Sequence, residues 1–147
     1  MMKIETTVVI DKPLDTVVKY FADPAYLKEY QEGFVSKELV SGVAGENGAI
    51  SNMLYEHNGQ KMELVETITA NDLPHTFEAH YHHEHMDNTM KCLFTPLNDN
   101  QTQYTSFIHY TRINWVMPRL MAILVPSLYK KPVKRWLENF KKFVESQ

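Results

Sequence analysis

The end of the chain limits what the rest can be. From Val133 onward the apolar residues fall at Val133, Trp136, Leu137, Phe140, Phe143 and Val144. That three-and-four spacing puts them on one face of a helix. Lys130, Lys131, Lys134, Arg135, Glu138, Lys141, Lys142 and Glu145 fill the other positions. Burying such a stripe is worth about 1.5–3 kcal/mol per large side chain, an upper figure because unfolded chains are already partly compact. Most of the chain from Phe34 onward reads with period two instead. The expected architecture is therefore a curved sheet closing around the terminal helix, and function becomes a question about the space between them.

The first strand is Ile4–Ile10, β-branched and roughly alternating. Asp11-Lys12-Pro13 stops it. Pro13 suits the first turn of a helix, with Asp11 or Lys12 at the cap and Asp15 favourable to the helix dipole. Leu14, Val17, Val18 and Phe21 supply that helix's apolar face. Asp23-Pro24 closes it and opens a second short helix, Ala25–Gln31, with Gly33 as its C-cap. Strands are expected at Phe34–Val40, Ile50–His57, Gln60–Thr69, His75–Glu84, Thr89–Leu97 and Thr102–Ile113. Asn58-Gly59 is the strongest hairpin signal. Asn71-Asp72-Leu73-Pro74, Met86-Asp87-Asn88 and Asn98-Asp99-Asn100 are the other expected turns, and Pro96 marks the end of its strand. Gly42, Gly45 and Gly48 lack the Lys-Ser/Thr of a phosphate loop and read as a turn.

Pro126 and Pro132 both lie within the terminal helical pattern, so a break or strong kink is expected between Val125 and Pro132. The piece before it, Trp115–Val125, is apolar and carries Met117 and Met121. It suits a cavity wall or lid, or equally a plain core helix.

A chain of 147 residues is expected to form one domain, 1–147. Net charge is −3, which gives no general attraction to nucleic acid. Cys92 is the single cysteine, so no internal disulfide is possible. Met1–Glu5 has no apolar run of the signal-peptide kind, and Trp115–Val125 is too short to span a membrane. The expectation is a cytoplasmic protein with no stable membrane insertion; oligomeric state is unknown. The Lys130–Arg135 basic stretch reads as a solvated helix face, with transient membrane contact as the alternative. No motif calls for a cofactor.

Several local patterns occur in a telling order. Ile10-Asp11-Lys12-Pro13 runs on to Val17, Phe21-Ala22-Asp23-Pro24 breaks the first helix, Gly42 to Ala49 turns between strands, and Arg135 to Glu145 closes the chain. Together they resemble the START/SRPBCC superfamily, which includes polyketide cyclases/dehydrases and lipid carriers, across essentially the whole chain. The resemblance implies an α+β helix-grip fold: about seven antiparallel strands wrapped around a long C-terminal helix, with two short helices after strand 1. It also implies an internal cavity between sheet and helix that holds a small hydrophobic or aromatic ligand. An enzyme of the polyketide cyclase/dehydratase type and a co-chaperone-like interaction module are the alternatives, since fold alone does not settle function.

The residues suggest what such a cavity would contain. Glu66 alternates with Met62, Leu64 and Ile68, so an inward face would place its carboxylate inside, as a general acid/base or polar anchor. Pairing with a lysine or arginine is the other possibility. Phe77, Tyr81 and His83 share a face, as do Tyr104, Ile108 and Tyr110. With Met90, Met121 and Tyr129 these are the candidate ligand-binding residues, although aromatics at such positions also serve simply as core. His80, His82, His83 and His85, beside Glu84 and Asp87, have some of the donors of a zinc or iron site. A solvent-facing arrangement for His80 and His82 is preferred, and no metal is expected. Cys92 is expected to pack as a small apolar residue.

Overall fold

The computed structural model describes residues 2–114 and 127–147. Seven strands form one antiparallel sheet: β1 (Lys3–Ile10), β2 (Phe34–Ser41), β3 (Ile50–His57), β4 (Gln60–Asp72), β5 (Thr76–His83), β6 (Met86–Asn98) and β7 (Gln101–Ile113). Their order across the sheet is β1-β7-β6-β5-β4-β3-β2. Helix α1 (Leu14–Ala22), a 3₁₀ turn (Pro24–Tyr26) and α2 (Leu27–Tyr30) follow β1, and α3 (Ser127–Glu145) ends the chain. The curved sheet with its terminal helix is the expected α+β helix-grip arrangement.

Helix α3 presents Val133, Leu137, Phe140 and Val144 to the sheet, each at most 4% exposed. Trp136 departs from the expected stripe: it is 42% exposed. It lies on one side of the apolar arc, at the rim; Phe143 on that same side is covered by Tyr20, Tyr26 and Tyr30, nearer the end of the helix. The expected break before Pro132 falls partly outside the described residues. Within them α3 starts at Ser127 and continues through Pro132. Pro132 withholds a backbone donor and crowds the preceding turn, a cost that burial of the following stripe offsets.

Phe21 of α1 is the hub of an aromatic cluster in the interior. Its ring centroid lies 4.9 Å from Phe94, 5.5 Å from Phe77, 6.0 Å from Tyr104 and 6.1 Å from Phe140, all edge-on. That geometry sets the electropositive rim of one ring on the electronegative face of the next. The helix entrance differs from expectation. Pro13 itself occupies the cap of α1 and no side chain caps it. Asp11 is engaged elsewhere, its N–H donating to Glu145 and its carboxylate accepting from Gln101. Asp23 instead caps the 3₁₀ turn, accepting from the Ala25 N–H at 2.9 Å. Gly33, at φ +75°, turns the chain from α2 into β2.

The Asn58-Gly59 hairpin forms with positive φ at both residues, as a two-residue turn of the I′ type requires. The strand limits move most in β4 and β6, and by at most a single residue elsewhere. β4 runs on to Asp72 with an irregularity between Ile68 and Ala70. β6 passes through Pro96 to Asn98, with a register shift that absorbs the missing donor. β6 also starts at Met86, so Met86-Asp87-Asn88 is strand and the chain turns at Glu84-His85. Arg112 of β7 explains the last change. It donates to the carbonyls of His83 (2.8 Å) and Glu84 (3.4 Å) and to both Asp87 oxygens, 3.1 Å from Nε and 3.2 Å from Nη2. This contact between distant parts of the chain holds Asp87 within the strand.

Candidate functional site

The strand registers assemble a polar line across the concave face of the sheet. Ser51 is opposite Glu66, Glu66 opposite Tyr81, Tyr81 opposite Asn88, and Asn88 opposite Tyr110. Directly opposed residues share a face, so the line runs unbroken from β3 to β7. An apolar line flanks it on one side: Ile68, Ala79, Met90, Ile108 and Ile4. Met53 and Leu64, then Met86 and Ile113, lie on the other side, with His83 opposite Met86. The surface is thus greasy with one band of hydrogen-bonding groups.

Glu66 carries the negative charge of the band and is 3% exposed. Tyr81 donates its hydroxyl to Glu66 Oε2 at 2.7 Å. Lys37 Nζ stands 2.8 Å from Oε1. Oε1 has no well-directed hydrogen bond, so charge attraction is what holds that side of the carboxylate. The pairing with a lysine that its position allowed is thus present. Burial, then the Glu66 charge and hydrogen bond, push the Tyr81 hydroxyl well above the usual phenol range. Tyr81 therefore remains a neutral donor. Burial and the Glu66 charge also raise Tyr55, which donates to Gln31 Oε1 at 2.6 Å.

The band changes character toward β6 and β7. Asn88 is half-buried and Tyr110 is 8% exposed. Neither side chain has a hydrogen-bond partner among the described residues. The Tyr110 ring is edge-on to Tyr129 of α3, with centroids 5.8 Å apart. Burial raises the Tyr110 hydroxyl above its ordinary range. His83 is half-buried, and its Nδ1 accepts the His85 backbone N–H at 3.2 Å. A backbone N–H can only donate, so the proton of neutral His83 is on Nε2. Burial lowers its pKa, and the nearby His85, His82 and Arg112 charges act the same way against the opposing pull of Glu84.

The remaining candidates fall into two groups. Phe77 and Tyr104 belong to the aromatic packing around Phe21, and Ile108 is 6% exposed. Leu64, Met90 and Tyr129 are half-buried beside the core. Met121 lies outside the described residues. Cys92 is fully buried, 3.4 Å from the Tyr104 hydroxyl, and burial pushes its thiol up to about 12. His82 is 2.6 Å from Asp87, whose carboxyl the Arg112 hydrogen bonds hold down to about 2. No three of the His, Cys, Asp or Glu side chains among the described residues are grouped to hold a metal ion. Lys37, Ser51 and Asn88 were not among the residues expected from sequence. Lys37 and Ser51 enter through register alone, and Asn88 was hidden in a segment that reads locally as a turn.

Two grooves lie away from this band. One, of about 550 Å³, is lined by Lys3, Glu5, Lys91, Phe107 and His109, which alternate outward on the sheet, and by Lys130. Of the candidate residues it touches only Met90 and Ile108. The other, of about 520 Å³, lies between α2 and α3.

No protein-family model matches the chain, and no curated protein sequence matches it. Solved structures do. A START superfamily protein from Mycobacterium smegmatis superposes with a TM-score of 0.80 at 13% identity, covering 98% of this chain and 97% of that one. An aromatase/cyclase from a Streptomyces species gives 0.77 at 11% identity, covering 98% and 93%. Norcoclaurine synthase from Thalictrum flavum, in complex with dopamine and hydroxybenzaldehyde, gives 0.69 at 14% identity, covering 99% and 87%. The chain thus has the helix-grip fold of the START/SRPBCC superfamily.

Proposed function

We propose that this protein, acting as one domain over residues 1–147, binds a small hydrophobic or aromatic molecule between the concave face of the sheet and α3. The observation that carries the reading is the band itself. Apolar rows border hydrogen-bonding groups, and two of those groups, Asn88 and Tyr110, have no partner among the described residues. Ligand sites combine an apolar lining with a few polar groups in this way. The likeness in fold to an aromatase/cyclase and to a synthase holding two aromatic compounds supports it. Binding is preferred over cyclase/dehydratase chemistry because the Glu66 carboxylate is already engaged by Lys37 and Tyr81. Mass spectrometry of gently purified protein under native conditions is the test, with organic extraction of whatever is bound. A stoichiometric apolar molecule is expected. Its absence, together with failure of aromatic probes to bind, would remove the reading.

A second reading has its own observation. Val35, Leu39 and Val40 on the edge strand β2, with Val43 beyond it, are 43–60% exposed. An apolar sheet edge suits a protein-interaction module. Register shifts at both ends of β2 disrupt the ladder such a partner would extend, which favours the ligand reading. Val40→Lys tests it: a change in partner capture or self-association with ligand binding intact would favour the interaction module.

A further inference from the structure

The hydrogen-bonding groups at the β5–β7 end of the concave face are uncharged. His83 offers Nε2–H because its Nδ1 is occupied by the His85 N–H. Asn88 offers an amide and Tyr110 a hydroxyl, neither partnered among the described residues. Tyr81, opposite Asn88, has committed its own proton to Glu66. Among the described residues, the cations near this end are engaged elsewhere. Arg112 is bound to Asp87 and to the carbonyls of His83 and Glu84. Lys37 is paired with Glu66. Lys130, next to Tyr129 in sequence, lines the outward groove with Lys3.

We infer that His83, Asn88 and Tyr110 form a seat for an uncharged oxygen, a phenol hydroxyl or a ketone or aldehyde carbonyl, and that the site selects such molecules over carboxylate or phosphate amphiphiles. This rests on the ligand-binding reading and adds the polarity of the ligand to it. An anionic head group brought to this seat would lose its hydration and meet no uncommitted cation among the described residues, a large cost. A neutral oxygen exchanges water for His83 Nε2–H and the Asn88 amide at little net cost. Burial and the surrounding charges of His85, His82 and Arg112 favour neutral His83, which keeps the seat uncharged and Nδ1 free to accept the His85 N–H. A binding surface built around such donors discriminates through the penalty of leaving polar groups unpaired.

Three probes of one shape test this: 2-naphthol, 2-naphthoate and naphthalene, titrated calorimetrically at pH 7 into the full chain. 2-Naphthol is expected to bind at least about tenfold more tightly than 2-naphthoate. His83→Ala is expected to weaken 2-naphthol about tenfold and leave naphthalene unchanged, while His83→Gln, which keeps an N–H donor, retains most of the affinity. Circular dichroism confirms that each variant is folded. Binding of 2-naphthoate as tight as that of 2-naphthol overturns the inference and leaves the ligand-binding reading standing. An equal loss of naphthalene and 2-naphthol affinity in His83→Ala overturns the role given to His83. Failure of all three probes to bind overturns the inference and, if no molecule co-purifies either, takes the ligand-binding reading down as well.

Discussion

The Lys37 ammonium on β2 stands 2.8 Å from the Glu66 carboxylate on β4, reaching over the intervening strand β3. Lys37 retains 21% side-chain exposure and Glu66 only 4%. The pair ties the edge strand to the middle of the sheet and neutralises the one acidic group of the concave band. Removing one partner of such a buried pair strands the other charge. Lys37→Met is predicted to lower the unfolding free energy by about 3–5 kcal/mol. The double variant Lys37→Met, Glu66→Gln keeps an acceptor for Tyr81 and is predicted to recover most of the loss. Urea denaturation of the parent and both variants measures it; a single variant as stable as the parent would mean that the pair contributes nothing, and equal stability of single and double variants would mean that the stranded charge carries no penalty.

Cys92 is predicted to be inert in the folded protein. It is fully buried, and its thiol is pushed up to about 12, so almost no reactive thiolate forms near neutral pH. Labelling with an aromatic disulfide reagent should proceed at the rate of global opening and accelerate with urea. Stoichiometric labelling within seconds in native buffer would contradict this.

Asp87 gives the acid limb of stability a definite sign. Its folded-state pKa is lowered from 3.8 to about 2, chiefly by the Arg112 hydrogen bonds. Between those values the unfolded chain binds the proton more readily, so stability falls as pH drops through that window and is fully present above it. Asp87→Asn is predicted to be less stable than the parent at pH 7, with the gap narrowing as pH falls from 3.8 toward 2. Melting temperatures of both proteins across that range check it. A constant gap would assign the effect to packing instead.

Gly33 has no room for a side chain. Its φ is +75°, and a Cβ there would come 2.6 Å from the Glu56 carbonyl oxygen. The same turn is held by the Glu56 N–H donating to the Gly33 carbonyl at 2.8 Å. Gly33→Ala is predicted to destabilise the protein by about 1–3 kcal/mol, measured by chemical denaturation, whereas Gly59→Ala, with nothing within 4 Å of its Cβ, pays only the backbone strain.

The fold was legible where local pattern and tertiary need agree. Alternation in β4, β5 and β7 told which residues share a face with Glu66, Tyr81 and Tyr104, and the folded sheet turns those faces inward. Asn58-Gly59 located the hairpin because a turn of that kind needs those backbone angles. What stayed hidden depends on residues distant in sequence. Asp87 and Asn88 look like turn residues until Arg112, 25 positions away from Asp87, holds that segment in the strand. Lys37 becomes a partner of Glu66 only once β2, β3 and β4 are in register. Trp136 has the spacing of the buried stripe yet lies at its margin, since periodicity gives the direction of a helix face and not its width.

The central claim is that the concave band receives the ligand, and methionine methyl resonances report on it directly. Met86 and Met90 are half-buried on that face on either side of the Asn88 position, while the Trp136 indole is exposed at the rim of α3. With ¹³C-methyl methionine protein titrated with 2-naphthol, the account predicts saturable shifts of the Met86 and Met90 methyls with the Trp136 indole unmoved. Saturation with those two methyls unmoved would place the ligand elsewhere and contradict it.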